Sequence, residues 1–230
     1  LDYAGQKCGP NSPQAKTALA DLDATLRRFA EKCSRIAVLE NATFLAVGEY
    51  AMTDVSHVIF PNRILREAGG LLVQVKDGRE YIDWEGSPAF AMVDHQLAHV
   101  YVNLDGADEK RRWVGRIVEL FRSLCGIQSV YAGAERSEVG MDHPRAGDVV
   151  LVCDDSAWMA YYWWLDDALA PRFARTVDIH QKPGYDPVEL FFDPATKGIP
   201  LNAALVKGSH GVPATGKQHR TALVCSRASR

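Results

Sequence analysis

Donor side chains crowd one part of this 230-residue sequence. Residues 178–211 carry Asp178, His180, Asp186, Asp193 and His210, set among the turn-formers Pro183, Gly184, Gly208 and Gly211. Carboxylates mixed with imidazole suit Zn, Mn or Fe, and carboxylates alone suit Mg or Ca. The same residues also have plainer uses. Asp178 and Asp186 can cap turns, and His180 can be a satisfied core histidine. His210, in the setting Gly208-Ser209-His210-Gly211, is marked for function because glycine lets backbone approach closely on either side of it.

Two more donor groups lie upstream: Asp2 with Glu49, and Asp94 with His95 and His99. His95 and His99 have the spacing that puts zinc-binding pairs on one helix face, but their flanks read as strand. The chain contains no Gly-x-x-x-x-Gly-Lys-Ser/Thr, no Gly-x-Gly-x-x-Gly after a strand and no Gly-x-Ser-x-Gly elbow. Metal-assisted hydrolysis is therefore the reaction class these donors support best.

The elements that must position them follow from periodicity. Ser12 and Pro13 supply a helix start, and Ala18, Leu19, Leu22, Leu26, Phe29 and Ala30 recur as one face, predicting an amphipathic helix over 13–33. Ile36–Leu39 and Thr43–Val47 then read as buried strand, the pattern of a parallel α/β sheet with Glu49 just past a strand end. A short helix is predicted at 61–69 and a longer one near 108–124. Strands are predicted at 71–75, 79–84, 99–103, 129–132 and 147–153, with Asp77-Gly78 as a hairpin turn. The strands between 71 and 132 suggest a small, mostly antiparallel α+β lobe inserted in an α/β body. Trp158, Tyr161, Tyr162, Trp163 and Trp164 lack accompanying Lys or Arg and read as a strand packed on the core. The segment from Lys217 on is expected to fray.

Composition is ordinary for a soluble globular chain: 47% hydrophobic, 24% charged, net charge −3. That balance argues against a nucleic-acid polymer or an anionic membrane as partner. No apolar run approaches the ~18 residues of a spanning helix. The polar opening Leu1-Asp2-Tyr3 reads as lacking a signal peptide. Five scattered cysteines (Cys8, Cys33, Cys125, Cys153, Cys225) form no Cys-x-x-Cys pair, which leads to an expectation of reduced thiols in a cytoplasmic setting.

Several motifs then come in a fixed order: Leu-Asp-Tyr-x-x-Gln-x-x-Gly-Pro-x-Ser-Pro (1–13), Gly-Glu-Tyr-Ala-Met (48–52), and Pro-Asn-Arg-x-Leu-Arg-Glu-Ala-Gly (61–69). Val-Asp-His-Gln-x-Ala-His-Val-Tyr-Val (93–102), His-Pro-Arg-x-Gly-Asp (143–148), Val-Asp-Ile-His-x-Lys-Pro-Gly-Tyr-Asp-Pro (177–187) and Lys-Gly-Ser-His-Gly (207–211) complete the series. Over nearly its whole length the chain resembles the bacterial type I phosphodiesterase/nucleotide pyrophosphatase proteins of the alkaline phosphatase superfamily. The resemblance implies an α/β/α sandwich whose body is formed by 1–60 and 133–230, with the inserted lobe at 61–132. It also implies hydrolysis of phosphodiester or nucleotide pyrophosphate bonds at a site of two divalent metal ions, zinc foremost, with Mn or Mg as alternatives. Carried over by position, Asp2 and His210 match ligands of one ion; the histidine partner of Asp2 falls on Gln6, and an Asp-His pair falls on Glu49-Tyr50. Asp2, Glu49 and His210 are thus the expected metal ligands, with Asp94, His95, Asp178 and His180 as donors that could rebuild the site. The nucleophilic Thr or Ser has no counterpart here and is expected upstream of Leu1, which makes this chain a carboxyl-terminal half whose partner is the amino-terminal half. Gln6 and Tyr50 leave a second reading open, a catalytically eroded member acting as a binding or scaffold protein.

Overall fold

The structure, a computed structural model, describes residues 1–227. It opens with α1 (Asp2–Cys8) and α2 (Pro13–Cys33), the latter started as expected by Ser12, whose hydroxyl accepts from the Ala15 amide at 3.1 Å. The apolar stripe of α2 faces outward, with Leu19 and Phe29 each 56% exposed. The run after it departs from expectation. Ala37–Leu39 is a single 3₁₀ turn, not a strand, and Val38 is 86% exposed. β1 (Leu45–Val47) pairs antiparallel with the last strand and enters no parallel sheet. A short apolar strand of that kind needs neighbours on both faces, and no other described part of the chain covers this one.

β2 (Thr53–Asp54), β3 (His57–Ile59) and α3 (Pro61–Glu67) follow. The hairpin of β4 (Val73–Lys76) and β5 (Arg79–Ile82) turns on Asp77 and Gly78, both at positive φ as a two-residue hairpin requires. Next come β6 (Ala89–Asp94), β7 (Leu97–Val102), α4 (Ala107–Arg122), β8 (Ile127–Ala132), β9 (Val149–Cys153) and β10 (Ala157–Met159). β11 (Gly208–Ser209) and β12 (Leu223–Cys225) close the chain.

The central sheet is antiparallel in the order β6-β7-β9-β8, and α4 lays fully buried Ile117 and Phe121 against it. β9, on the body side of the boundary at 132, lies between β7 and β8 of the lobe in this one sheet. β3 and β10 form a parallel pair, and β11 pairs antiparallel with β2. β12 gives order to part of the segment expected to fray, by pairing Leu223–Cys225 with β1.

Residues 157–164 run through the core, and Trp158 and Tyr161–Trp164 are all buried. Only 157–159 is strand, so the later carbonyls need other donors. α3 supplies them. Asn62 Nδ2 donates to the Tyr161 and Ala91 carbonyls, Arg63 Nε to the Trp164 carbonyl at 2.6 Å, and Arg66 to the Trp163 carbonyl. Arg66 also grips Glu80 of β5 through two parallel bonds of 2.6 and 2.8 Å, the strong bidentate form. All five cysteines are free, and among the described residues no helix is long and apolar enough to cross a membrane.

Candidate active site

Two close backbone contacts shape the cluster, and the first joins segments from the two ends of the chain. A Cβ on Gly208 would lie 2.3 Å from the Gly5 carbonyl oxygen, so only glycine lets β11 run against α1. This contact sets Asp2 and Gln6 of α1 beside His210, the residue following β11. A second contact involves Gly184, at φ +121°, where a Cβ would fall 1.9 Å from the Val93 oxygen. The Tyr185 amide then donates to the Val93 carbonyl at 2.9 Å and hangs the Tyr185 ring at the end of β6.

The hairpin joining β6 to β7 carries the third component. Asp94 pairs with Leu97, leaving His95 and Gln96 as the two turn residues, with His95 at φ +58°. Non-glycine residues seldom sit there, and such strain persists only where the surroundings impose it. Gln96 imposes it. Fully buried, it accepts with its carbonyl from the Cys153 amide and donates its amide to the His210 carbonyl, while Nε2 reaches the Ala157 carbonyl at 3.0 Å and Thr53 Oγ1 at 3.1 Å.

The result is a stack of four rings. Tyr50 lies flat on His210 (centroids 3.4 Å, planes 7° apart), His210 lies 3.8 Å from His95, and His95 lies 4.4 Å from Tyr185. Asp2 borders the stack: its Oδ1 accepts from the Tyr50 hydroxyl at 2.8 Å and its Oδ2 from Gln6 Nε2 at 2.7 Å. Burial pushes both imidazoles down to about 4, against the pull of Asp2 on each and of Asp94 and Glu49 on His210; its neighbour His95 depresses His210 further. Both rings are therefore neutral at pH 7 and able to accept or donate a hydrogen bond. Burial, the bond to Asp2, and the charges of Asp2 and Glu49 raise the Tyr50 phenol well above its usual range. His95 Nδ1 and Gln6 Oε1 are buried without protein partners.

The expected donors divide between this cluster and other places. Asp2, His210 and His95 meet in it. Asp94 stands at its exposed rim, 3.8 Å from His95 Nε2, and Glu49 borders cavities on both sides of Tyr50. Asp178 and His180 lie elsewhere. Asp178 Oδ1 accepts from the His180 amide in a local turn, and exposed His180 lines a separate cavity with Tyr81 and Trp84. Asp186 caps residues 187–191 through the Val188 amide and pairs with buried Lys182 at 3.2 Å. Asp193 caps its own turn through Ala195 and Thr196. His99 accepts from the Gly147 amide on β7. Sequence reasoning missed Tyr185 and Gln96; the only local signals were Gly184 before Tyr185 and the turn position of Gln96.

The residues gathered here do not fit two divalent ions. Both Asp2 oxygens are engaged by neighbours, the Gln6 amide and the protonated Tyr50 phenol are poor ligands, and among the described residues no three His, Cys, Asp or Glu side chains converge on a point. The chemistry this set can supply is hydrogen bonding, neutral imidazole and a flat aromatic surface.

Among solved structures the chain is similar to murine ectonucleotide pyrophosphatase/phosphodiesterase 5, at 14% identity and a TM-score of 0.55, over 97% of this chain and 44% of that one. An inactive variant of the same mouse protein in complex with AMP gives 0.56 at 14% identity, with the same shares of each chain. Phosphonoacetate hydrolase from Sinorhizobium meliloti 1021, in complex with phosphonoformate, is matched at 19% identity and a TM-score of 0.45, over 73% and 40%. This chain thus spans less than half the length of the mouse protein, and the likeness establishes an alkaline-phosphatase-like α/β fold. No curated protein matches the sequence. Residues 1–186 match the family described as type I phosphodiesterase / nucleotide pyrophosphatase. With most of its length inside that match, the chain belongs to the type I phosphodiesterase/nucleotide pyrophosphatase family.

Proposed function

We propose that this chain is the carboxyl-terminal part of a hydrolase of phosphodiester or nucleotide pyrophosphate bonds and forms one wall of its substrate site. The observation that carries this reading is the meeting of Asp2 and His210, from opposite ends of the chain, in one network with Tyr50 and His95. In this reading Asp2 is a fixed hydrogen-bond acceptor, the neutral His210 and His95 rings take or give a proton at the substrate or its attacking water, and Tyr50 and Tyr185 close the stack. Family members generally use divalent metal ions; zinc, with Mn or Mg as alternatives, is the ion the resemblance implies. The nucleophile and the residues holding such ions belong to the amino-terminal half, the partner this reading requires.

The test is turnover of bis(4-nitrophenyl) phosphate and of a dinucleoside pyrophosphate by the intact protein, with and without chelator. His210→Ala and Asp2→Ala are each expected to lower kcat/KM on the order of a hundredfold, the scale of a lost acid–base or oriented polar group. Turnover unchanged in both variants would remove this cluster from the reaction. Absence of turnover on every phosphodiester would leave the chain as a non-hydrolytic family member, the reading that the engaged Asp2 carboxylate favours.

A further inference from the structure

A cavity of about 360 Å³ lies outside the ring stack. Tyr81, Trp84, Trp163 and Phe173 give it aromatic walls, Met92 adds an apolar one, and exposed His180 borders it. That size and lining are those of a small-molecule site, which usually adds a few polar groups to fix orientation. Trp163 supplies one. It is 1% exposed, yet its indole Nε1 has no acceptor among the described residues, whereas neighbouring Trp164 donates to Asp167 Oδ1 at 2.8 Å. A buried donor without a partner is uncommon and calls for an acceptor from elsewhere. Two other polar wall residues are already engaged: Lys182 Nζ donates to the Thr176 carbonyl at 2.8 Å and pairs with Asp186 and Glu189, and Gln181 Nε2 donates to Asp178. Among the described residues no carboxylate lines the cavity, so nothing there selects a cation. Trp84 is exposed without being loose. Phe90 meets it edge-on at 5.0 Å, and its carbonyl accepts from Asn103 Nδ2 at 3.1 Å. An exposed indole held in this way is a stacking surface.

Two stretches of chain join this cavity to the stack. On β6, Phe90, Met92 and Asp94 share the less buried face, while Ala89, Ala91 and Val93 are buried on the other. Met92 walls the cavity, and Asp94, two residues and about 7 Å further along the strand, stands at the rim of the stack. Lys182 and Pro183 also line the cavity, and Tyr185, two residues after Pro183, is an end ring of the stack. We propose that the cavity holds a planar aromatic ring carrying a hydrogen-bond acceptor, the distal group of a substrate whose phosphate lies at the stack. Trp84 offers that ring a face, Trp163 a donor, and Met92, whose unbranched side chain repacks readily, the room to enter.

The inference rests on reading the stack as a phosphate-ester site, and two readouts keep the claims apart. The first is the indole N–H signal of Trp163 in a proton–nitrogen NMR spectrum of the intact protein, identified by its loss in Trp163→Phe. Benzamide, a flat ring with a carbonyl acceptor, is expected to shift that signal. Cyclohexanecarboxamide, with the same acceptor on a puckered ring, should shift it much less. No shift with benzamide, or equal shifts with both, would overturn the cavity as an aromatic site. The second readout is turnover of bis(4-nitrophenyl) phosphate, whose nitro groups are acceptors. Trp84→Ala and Trp163→Phe are each expected to raise KM about tenfold with kcat little changed, as for a lost binding contact away from the reacting atoms. If Trp163→Phe does not fold by far-UV circular dichroism, Trp84→Ala, at an exposed position, carries the test and the Trp163 signal is assigned by through-bond NMR. An unchanged KM in Trp84→Ala, with the benzamide shift present, would overturn the cavity's part in substrate binding and leave the phosphate-ester reading in place. Absence of turnover by the natural protein would overturn that reading and the subsite with it.

Discussion

At the scale of single residues, Asp2 is satisfied by side chains. Tyr50→Phe removes one of its two bonds and is expected to cost about 1 kcal/mol by urea denaturation. Because Gln6 and Tyr50 are what the carboxylate touches, replacing both with histidine should create a zinc site. Calorimetric titration is expected to show no stoichiometric zinc binding in the natural chain and to show it in Gln6→His/Tyr50→His; tight zinc in the natural chain, lost in Asp2→Ala, would reverse the account of the site. The imidazoles set a pH dependence. In the unfolded chain they take a proton near 6.5, whereas in the folded chain burial delays this to about 4. Between those values the unfolded state binds more protons, so stability is full above about pH 6.5 and is lost as pH falls through 4. Urea midpoints at about pH 7.5, 6 and 5 should fall in that order. The fall should be shallower in His95→Asn, whose side chain tolerates positive φ; equal slopes would argue against His95.

At the scale of elements, the site depends on contacts that only glycine permits. Gly184→Ala places a Cβ against the Val93 carbonyl at a φ that L residues avoid, so it should cost about 2 kcal/mol or more and unseat Tyr185. A melting temperature unchanged from the natural chain would show that the loop can yield. Asn62→Ala should be similarly costly, about 3 kcal/mol, because it strands the Tyr161 and Ala91 carbonyls and the Ala91 amide in the core. α2 and α4, the Asp77-Gly78 hairpin and the β7, β8 and β9 strands of the central sheet were legible in the sequence, since each carries its own cap, turn or period. The strand expected across 158–164 was legible only in part. Beyond 159 it extends without a ladder, and what replaces the ladder is side chains of α3, a long-range arrangement with no local signature.

At the scale of the whole molecule, α2 and the β1–β12 pair leave much apolar surface exposed. Leu19, Leu22, Leu26 and Phe29 of α2 are exposed, as are Leu45 and Val47 of β1 and Leu223 and Val224 of β12. Patches of this kind usually mark contact surfaces; we propose that the amino-terminal half covers this one. The isolated chain is expected to self-associate with concentration in light scattering. Leu19→Lys/Leu26→Lys should reduce that association while shifting stability by only about 0.5 kcal/mol, as for exposed positions. A monomer at every concentration would remove the case for a covering partner.

Sequence by itself determined the family, the start and period of α2 and the Asp77-Gly78 hairpin turn, because these lie in short contiguous patterns. Tertiary structure decided which donors meet. It put His95 with His210 and left Asp178 and His180 elsewhere, and it turned Gln6 and Tyr50 from departures into the partners of Asp2. The physical reason is that close approach at Gly5, Gly208 and Gly184, and a buried Gln96, act between segments distant in sequence, and no local pattern records which of them will touch.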